Sequence, residues 1–481
     1  MVRFAPGLLT KKETEERQMG LTVGICTLGC KVNFYESECL KELLEKEGFV
    51  VRDFADVCDV YVINSCTVTG ESDRKVMQAC RRAVKTNPDA FVCVTGCTAQ
   101  TSPEKIAAIP GIGFICGNRS KKAVVDRIID FARQNQNIDP KPSQPEIAVD
   151  GFEAIPEYEP LKLSATSHTR AIIKIEDGCD SACSYCIIHT ARGPARSRSE
   201  ADILEEIRRM AENGYKEVVL TGIELSSFSG DLPSLVKKVG EIDGIERIRL
   251  GSLDPYYITK DRIDRLCETP ELMPHFHISL QSGSSRVLAA MRRKYNAKTA
   301  LERVLYLKEK FPGACLFADI IVGFPGETEQ EFEETVDFIK KIRFLHLHIF
   351  PYSRRTGTPA ATMPGQLSTA GKRTRASRLA EIQRGIKAEL LESIVQNGCQ
   401  RPVSGADISA EDLAGAGLLK VLFEEGGSGH SEEFIEVKIA EAALKTASAQ
   451  ERRLFERGRI TLCRPLYTDG DVIYVLPVGE A

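Results

Sequence analysis

The chain has 481 residues, more than one ordinary hydrophobic core accommodates, so its length predicts roughly two to four domains. Its 42% hydrophobic content is typical of a globular protein, and no apolar run approaches the ~18 residues of a membrane helix, so we expect no membrane association. The net charge of −4 excludes a strongly basic nucleic-acid-binding chain and leaves room only for a local basic surface. Sixteen cysteines, and a polar first twenty residues without a signal-peptide core, predict a cytoplasmic protein whose thiols are ligands or core residues.

Residues 21 to 131 alternate apolar runs with helical patterns. The runs LTVGICTL, DVYVINS, AFVCVTG and GIGFICG are each followed by a helical segment. Continuous apolar strands of this kind are typical of a parallel sheet covered on both faces. The sequence therefore predicts an α/β domain.

Three cysteines of this domain come directly after predicted strands, namely Cys30, Cys66 and Cys97. In an open parallel sheet, the loops beyond the carboxyl ends of the strands line one crevice. The topology therefore predicts that these three thiols converge and can bind a metal. The alternative is that they are ordinary buried thiols, as we expect for the other cysteines of the domain, which are Cys26, Cys39, Cys58, Cys80, Cys93 and Cys116.

Residues 135–168 carry five prolines and no sustained periodicity, which predicts a linker or an extended segment. From Arg170 the alternation resumes, with strands predicted at AIIKIE, KEVVLT, RIRLG, FHISL, LFADIIV and LHLHIF. Six such β/α units predict a parallel barrel or partial barrel with right-handed crossovers. In such a barrel the chemistry takes place on the loops that follow the strands.

The loop after the first barrel strand contains GCDSACSYC, with Cys179, Cys183 and Cys186. A structural zinc ion takes four protein ligands. Three thiolates on a 4Fe–4S cluster instead leave one iron open to a further ligand. The count of three favours the cluster. The alternatives are a zinc site completed by His189 and three unrelated buried cysteines.

Three later strand ends carry candidate cofactor contacts. Glu224 follows the second barrel strand and can accept a hydrogen bond from a ligand ammonium, although a solvated loop acid is the alternative. Gln281 ends the fourth strand and can reach a ribose, and Gly323 follows the fifth, where glycine lets the backbone approach a flat ring.

The last part of the chain changes character. A helix predicted from Lys372 to Lys387 carries six basic residues, which is usual for a solvated face. The runs KVLFEE, EFIEVKIA, RGRITLC and VIYVLPV then predict a small antiparallel β-barrel. Such a barrel can bind RNA or can serve only stability.

These motifs together resemble the methylthiotransferases of the radical S-adenosylmethionine superfamily, over residues 21 to 387 and more loosely beyond. CTLGCKVNFYES, VINSCTVT and GCTAQ resemble the three cysteine boxes of the family's amino-terminal domain. KIEDGCDSACSYCIIHTARG resembles its radical box, with His189 where proline is usual. HFHISLQSGSSRVLAAMRRKY, ADIIVGFPGETEQEFEET and HIFPYSRRTGTPAATMPGQ extend the match. Leu28 and Lys31-Val32-Asn33 around the first box resemble the branch that acts on N6-threonylcarbamoyladenosine in tRNA.

The resemblance implies two 4Fe–4S clusters, a radical cluster on Cys179, Cys183 and Cys186 and an auxiliary cluster on Cys30, Cys66 and Cys97. It implies two S-adenosylmethionine molecules per turnover, one as methyl donor and one as radical source. The product would be the 2-methylthio derivative of N6-threonylcarbamoyladenosine at position 37. Arg354 joins Glu224, Gln281 and Gly323 as an expected S-adenosylmethionine contact, although it could equally meet phosphate. We assign no catalytic residue beyond the cluster ligands.

The resemblance also implies a domain order and partners. We expect a polar tail (1–20), an amino-terminal methylthiotransferase domain (21–134), a linker (135–168), a radical core (169–387) and a TRAM-like β domain (388–481) with an insertion near 400–418. The partners would be a tRNA anticodon stem-loop, a flavodoxin- or ferredoxin-type electron donor and a sulfur donor of unknown identity.

Other functions stay open. The substrate could be an aspartate of a ribosomal protein or N6-isopentenyladenosine in tRNA. From different classes, the chain could be an iron–sulfur electron carrier, or an RNA-binding protein whose metals are only structural.

Overall fold

The computed structural model describes residues 20–134, 144–152, 158–397 and 417–481. The polar segment 1–19 and nearly all of the expected insertion near 400–418 lie outside these ranges. The chain divides into two compact units. The first contains the residues up to 163 together with 177–181 and 186–196, and the second contains 164–176, 182–185 and 197 onward.

The first unit is built on a parallel six-stranded sheet with the order β2-β1-β3-β4-β5-β6. All four predicted strands are present, and the α/β prediction is confirmed. Two further strands of three residues each, β2 and β6, were not predicted, and β6 lies within the predicted linker. The strands are β1 (Thr22–Thr27), β2 (Val50–Arg52), β3 (Val60–Ser65), β4 (Phe91–Gly96), β5 (Ile112–Cys116) and β6 (Glu146–Ala148).

Helices cover both faces of this sheet, because its central strands β3 and β4 are buried at every position. Val60 and Val62 of β3 point into one apolar cluster, whereas Tyr61 and Ile63 point into another on the opposite face. This is the alternation that a strand imposes on its side chains. The helices are α1 (Lys31–Lys46), α2 (Gly70–Thr86), α3 (Cys97–Thr101), α4 (Pro103–Ala107), α5 (Lys122–Gln134) and α6 (Ile188–Arg192).

The second unit contains the six predicted barrel strands, all parallel to their partners. Together with β12, a two-residue strand that was not predicted, they form two sheets, β11-β10-β7 and β12-β13-β14-β15, in which neighbours follow the order of the chain. This is the predicted partial barrel. Its strands are β7 (Ala171–Lys174), β10 (Glu217–Thr221), β11 (Arg247–Leu250), β12 (Ser252–Leu253), β13 (His275–Gln281), β14 (Cys315–Val322) and β15 (His346–Pro351). Two-residue strands, β8 (Glu176–Asp177) and β9 (Arg196–Ser197), flank the cysteine box in the sequence.

Helices alternate with these strands as the sequence predicts. They are α7 (Glu200–Glu212), α8 (Leu232–Gly240), α9 (Lys260–Leu266), α10 (Ser285–Ala290), α11 (Ala297–Lys310), α12 (Glu329–Ile342) and α13 (Thr369–Asn397). The last is longer than the predicted basic helix and is not simply a solvated face. Leu379, Ile386 and Leu391 are buried, and Arg375 and Arg378 pair with glutamates of α12 and the residues before it.

The carboxyl-terminal strands close into a five-stranded barrel with the order β16-β17-β18-β20-β19, which confirms the predicted β-barrel. Its apolar core also takes in Leu345, Cys315 and Leu391 from the preceding part of the unit. The strands are β16 (Leu419–Phe423), β17 (Ser428–Ser431), β18 (Glu436–Ile439), β19 (Ile460–Thr468) and β20 (Ile473–Glu480), with short helices α14 (Glu441–Thr446) and α15 (Ala449–Arg453). Within the described ranges, no helix has the length and apolar character needed to cross a membrane.

Candidate metal and cofactor site

The three cysteines of the first unit lie at the carboxyl ends of three adjacent strands. Cys30 immediately precedes α1, Cys66 follows β3, and Cys97 opens α3 directly after β4. All three thiols are free, and Cys66 and Cys97 are buried. Burial, the largest cause, and repulsion by the neighbouring Cys97 and Cys30 sulfurs together raise the pKa of Cys66 to about 11. The predicted convergence of the three thiols is therefore present in the fold.

Two glycines allow the cysteine loops to approach each other. Gly29 has a φ of +111°, and a Cβ atom there would lie 2.8 Å from Cβ of Cys66. Gly96 has a φ of +96°, and a Cβ atom there would lie 2.4 Å from the Ser65 carbonyl oxygen. Both positions need glycine for conformation and for space. The Gly-Cys pairs of the first and third boxes are thus explained by geometry.

Side-chain amides fix these loops. Asn33 Nδ2 donates to the carbonyl oxygens of Leu28 (2.7 Å) and Ser65 (3.0 Å). Asn118 Nδ2 donates to Sγ of Cys97 at 3.5 Å and to the Ala191 carbonyl at 2.9 Å. A donor to sulfur favours the thiolate, which is the form that binds metal.

A buried arginine stands beside the thiols of Cys30 and Cys97 and was not predicted from the sequence. Arg192 Nη1 donates to Glu36 Oε1 at 2.7 Å and to Asp177 Oδ1 at 3.0 Å. Burial alone would lower the pKa of Arg192, but Asp177, Glu36 and the Cys97 sulfur together raise it well above its ordinary value. The guanidinium is therefore charged. The TARG run after the radical box is the sequence signal that could have pointed to it.

Two more cations complete this group, which we call the Arg192 network: Arg192, Lys121, Arg196, Glu36 and Asp177. Lys121 Nζ lies 3.6 Å from Glu36 Oε2, and Arg196 Nη2 lies 3.5 Å from Asp177 Oδ2. Three cations face two carboxylates, which leaves a formal charge of +1 on these five side chains. This positive surplus lies beside the thiols of Cys30 and Cys97, where it would offset the negative charge of bound thiolates.

The spread of the sulfurs tests which metal group fits Cys30, Cys66 and Cys97. Around one zinc ion, with Zn–S about 2.3 Å, sulfurs stand about 3.8 Å apart. Among the described residues, the His, Cys, Asp and Glu group whose ligand atoms all lie within 4.8 Å of one another is His277, Asp319 and His348. At least one pair of the three sulfurs is therefore more than 4.8 Å apart, wider than ligands of one zinc ion stand, so a cluster with separate iron corners fits the trio better than a single ion.

In the radical box each cysteine sulfur accepts a hydrogen bond. The Ser181 amide donates to Cys179 Sγ and the Ile188 amide donates to Cys186 Sγ, both at 3.4 Å. In the second unit, Arg293 Nη1 donates to Cys183 Sγ at 3.2 Å and Nη2 donates to Asp254 Oδ2 at 2.7 Å. Arg293 was not singled out from the sequence. His189, the alternative zinc ligand, lies in α6 with its side chain exposed.

The expected cofactor contacts lie where strands end, as predicted. Burial raises the pKa of Glu224 to about 7, and nearby Asp254 adds to the shift. Gln281, at the end of β13, has a φ of +67° and is buried. Gly323 has a φ of +70°, and the side chain of Lys372 packs where its Cβ would be. Arg354, after β15, is exposed. Contacts of these four residues with S-adenosylmethionine stay predictions.

Two families match this chain. Residues 173–339 match the radical SAM superfamily. Residues 22–117 match a family described as uncharacterized protein family UPF0004. The two matches cover the partial barrel except β15, and the sheet that carries Cys30, Cys66 and Cys97 except β6.

Relatives with a named activity match most of the chain. The threonylcarbamoyladenosine tRNA methylthiotransferase MtaB of Bacillus subtilis is 42% identical over 75% of this chain and 80% of its own length. The enzyme of the same name from Thermotoga maritima is 37% identical over 78% and 84%. A tRNA-2-methylthio-N(6)-dimethylallyladenosine synthase of Carboxydothermus hydrogenoformans is 33% identical over 87% and 97%.

A solved structure shares the fold. The radical S-adenosylmethionine methyltransferase TsrM from Kitasatospora setae aligns with a TM-score of 0.54 and 15% identity, over 71% of this chain and 77% of TsrM. Radical SAM membership implies a 4Fe–4S cluster and S-adenosylmethionine, for which Cys179, Cys183 and Cys186 have the required spacing. The family resemblance inferred from the motifs is confirmed. This chain belongs to the tRNA methylthiotransferase family of radical S-adenosylmethionine enzymes.

Proposed function

We propose that this protein converts N6-threonylcarbamoyladenosine at position 37 of tRNA to its 2-methylthio derivative. The observation that carries the proposal is the 42% identity to an enzyme of that name over 80% of the enzyme's length. The free, converging thiols of Cys30, Cys66 and Cys97 support it, because sulfur transfer needs a metal site besides the one that cleaves S-adenosylmethionine.

We infer two clusters with different protein surroundings. Cys179, Cys183 and Cys186 would hold the radical cluster, and Cys30, Cys66 and Cys97 would hold the auxiliary cluster. When bound, the clusters and S-adenosylmethionine supply the one-electron chemistry, the sulfur and the methyl group. A radical route suits the substrate, since an aromatic C2–H has no acidity that a general base could use near neutral pH.

The chain's own residues prepare both sites. Asn118 holds Cys97 and the Ala191 carbonyl together, and the surplus charge of the Arg192 network offsets thiolate charge. The charge of Arg293 likewise offsets that of a Cys183 thiolate, and Asp254 holds the Arg293 guanidinium in place. Glu224, whose pKa of about 7 leaves it partly protonated at neutral pH, would ionise when an ammonium group binds beside it.

The carboxyl-terminal barrel offers a surface for RNA. Tyr467 and Tyr474 stack with ring centroids 4.6 Å apart and an interplanar angle of 14°, and Tyr467 is 50% exposed. Exposed aromatic faces stack on unpaired bases with little sequence preference. The target adenine must itself leave the anticodon-loop stack, which costs less for an unpaired base than for a paired one. We propose an anticodon stem-loop as the partner, with electrons from a flavodoxin- or ferredoxin-type protein and sulfur from an unidentified donor.

We also propose a domain order in which residues 21–134 carry the auxiliary cluster, 169–387 form the radical core and 388–481 form the TRAM-like domain. The separate matches at 22–117 and 173–339 support these divisions.

The decisive experiment is anaerobic reconstitution followed by nucleoside mass analysis. tRNA from cells that lack this gene would be incubated with the enzyme, dithionite and S-adenosylmethionine. We expect 2-methylthio-N6-threonylcarbamoyladenosine together with 5′-deoxyadenosine. 5′-Deoxyadenosine with unchanged tRNA would overturn the substrate assignment. Methylthiolation of N6-isopentenyladenosine instead would place the enzyme with the dimethylallyladenosine synthases that it also resembles.

Two cysteine variants test the division of labour. We expect Cys66→Ala to keep S-adenosylmethionine cleavage but to lose sulfur insertion, and Cys183→Ala to lose both while staying folded with about half of the iron. Product from Cys66→Ala would refute the auxiliary site. Loss of native circular dichroism in Cys183→Ala would instead favour structural metals.

A further inference from the structure

Four of the seven histidines in the chain form two His-x-His motifs on neighbouring strands of the second unit. His275 and His277 lie on β13, and His346 and His348 lie on β15. Alternate residues of a strand share one face, so each motif presents both imidazoles to the same side. Strand β14 lies between them and contributes Asp319.

The strand register brings three of these side chains together. Asp319 is the direct partner of His348, and His277 pairs with Phe317, two residues before Asp319. One imidazole nitrogen from each histidine and one carboxylate oxygen all lie within 4.8 Å of one another. His277 Nε2 is 3.0 Å from Asp319 Oδ1, and the rings of His277 and His348 stack with centroids 5.0 Å apart.

One atom of this group lacks a partner of the usual kind. Among the described residues, buried Nε2 of His277 makes no hydrogen bond, although the Asp319 carboxylate is within range. A buried polar atom normally has a hydrogen-bond partner, so this exception needs an explanation. His277 Nε2 and Asp319 Oδ1 thus lie close together without a hydrogen bond between them, as two ligands of one metal ion do.

We propose that His277, Asp319 and His348 bind a divalent first-row transition metal ion, zinc or iron(II), in the partial barrel. Two imidazoles and one carboxylate are a donor set that both ions accept. Ligand atoms around zinc stand about 3.3 Å apart, because Zn–N and Zn–O bonds are about 2.0–2.2 Å. The ligand atoms, which lie within 4.8 Å of one another, therefore need to close by at most about 1.5 Å on binding, within the reach of rotamer changes.

Three protein ligands leave at least one position for water or another oxygen donor. The side chains of His277 and Asp319 are 13% and 22% exposed, so an ion can reach them. No sulfur takes part, which separates this site chemically from both cysteine trios. The metal at this site can therefore be identified by its ligands in a protein that also contains iron–sulfur clusters.

The test uses zinc as the probe on the anaerobically reconstituted full-length protein. After dialysis against micromolar zinc, we expect one zinc per chain, with an absorption fine structure at the zinc K edge that shows only nitrogen and oxygen neighbours at about 2.0–2.1 Å. His277→Phe and His348→Phe should each lose this zinc while keeping iron and sulfide content. Phenylalanine keeps an aromatic ring packed at each position, so a loss of zinc reports the missing imidazole nitrogen.

His346→Phe is the matched control. His346 lies on the same strand as His348, and the centroids of the two rings are 4.7 Å apart, but His346 is not one of the three proposed ligands. This variant should retain the zinc. If His346→Phe lost as much zinc as His277→Phe and His348→Phe, the proposal would be overturned. Zinc binding to the unaltered protein only at millimolar concentration would also overturn it. A sulfur shell at about 2.3 Å would also overturn it, since it would place adventitious zinc at cysteines. Should either histidine variant lose its clusters, Asp319→Asn provides the same zinc readout.

Discussion

Each unit contains a buried network of ion pairs between side chains. The two networks differ in the groups that surround and neutralise their positive charge. In the Arg192 network, the cations meet two carboxylates and lie beside the thiols of Cys30 and Cys97. In the second unit, Glu217 meets Arg249, Arg247 and Arg170, a group that we call the Glu217 network. Both are fully buried at their centres.

Arg249 and Arg247 of the Glu217 network also bind backbone carbonyls, and Arg170 pairs with a second carboxylate, Glu424. Arg249 donates to the carbonyl oxygens of Ser431 and Glu432, both at 2.7 Å, and Arg247 donates to that of His430 at 3.3 Å. These carbonyls belong to the end of β17, which contains His430 and Ser431, and to Glu432 directly after it in the carboxyl-terminal barrel. This network therefore locks two parts of the second unit together.

The Arg192 network uses the carbonyl of Arg192 itself, which accepts from Arg196 at 3.1 Å, and the side-chain oxygens of Asn33, Thr95 and Asn118. It also lies beside the thiols of Cys30 and Cys97. The contrast fits the proposed auxiliary cluster, whose thiolates would place negative charge beside the Arg192 network.

The largest effect should come from Arg192→Met. It leaves Glu36 and Asp177 buried opposite fewer cations, which costs about 3–5 kcal/mol of unfolding free energy. We also expect loss of the auxiliary cluster's share of iron after reconstitution. Urea unfolding of the apo protein and iron analysis check the two effects. Arg196→Met is the matched control: it removes the same formal charge at a residue with a single longer contact to Asp177, and it should retain the iron because Arg192 is the cation that lies beside Cys30 and Cys97. If Arg192→Met retained the iron content of the unaltered protein, the Arg192 network would have only a structural role.

Acid should disrupt the Glu217 network in a defined range. Burial alone would raise the pKa of Glu217, but Arg249, Arg170 and Arg247 lower it from an ordinary 4.5 to about 2. A group with a depressed folded pKa stabilises the protein above its unfolded pKa and loses that contribution as the pH falls through the folded value. We expect about 3 kcal/mol to be lost between pH 4.5 and 2 through this group.

Glu217→Gln tests this assignment. It should be less stable at neutral pH, because three arginines lose their carboxylate, but its stability should vary less with pH below 4.5. Urea unfolding at several pH values measures both. Its iron content should equal that of the wild type, in contrast to Arg192→Met. An unchanged slope of stability against pH would show that other carboxylates dominate acid unfolding.

A smaller effect is expected for Asn118→Ala, which removes donors to Cys97 and to the Ala191 carbonyl. Leaving a buried carbonyl without its donor costs about 1–3 kcal/mol. The auxiliary cluster should be lost faster on exposure to chelator, whereas the radical cluster should be unaffected. Asn213→Ala, which removes an exposed hydrogen bond to the Ser164 carbonyl, is the control. Equal loss of iron from both variants would contradict a local role for Asn118.

The smallest effect should come from a change outside both networks. Tyr467→Ala removes one ring of the exposed stacked pair and should weaken tRNA binding roughly tenfold with little change in stability. Filter binding at fixed salt measures it. Leu466→Ala, at a neighbouring exposed position, is the control. Unchanged affinity in Tyr467→Ala would place RNA binding elsewhere on the chain.

The sequence revealed the cysteine trios because each rests on a short rule. Residues that follow parallel strands share one edge of the sheet, and CxxxCxxC lies within eight residues. The missed elements have physical reasons: β2 and β6 have three residues each, and the SGHS of β17 reads as a loop. Arg192 and Glu36 are 156 residues apart, and no local pattern joins them. Long-range ion pairs and the Arg293–Cys183 contact therefore needed the fold.

The first unit is assembled from three separate stretches of the chain, which matters for anyone who divides this protein into fragments. A fragment that ends in the segment 135–168 would contain Glu36 and Lys121 but not Asp177 or Arg192. It would also lack the Ala191 carbonyl that receives the Asn118 amide. During synthesis, the amino-terminal sheet must likewise wait for residues 177–196 before its polar interior is complete. An expression boundary placed after Arg196 keeps these partners in one piece.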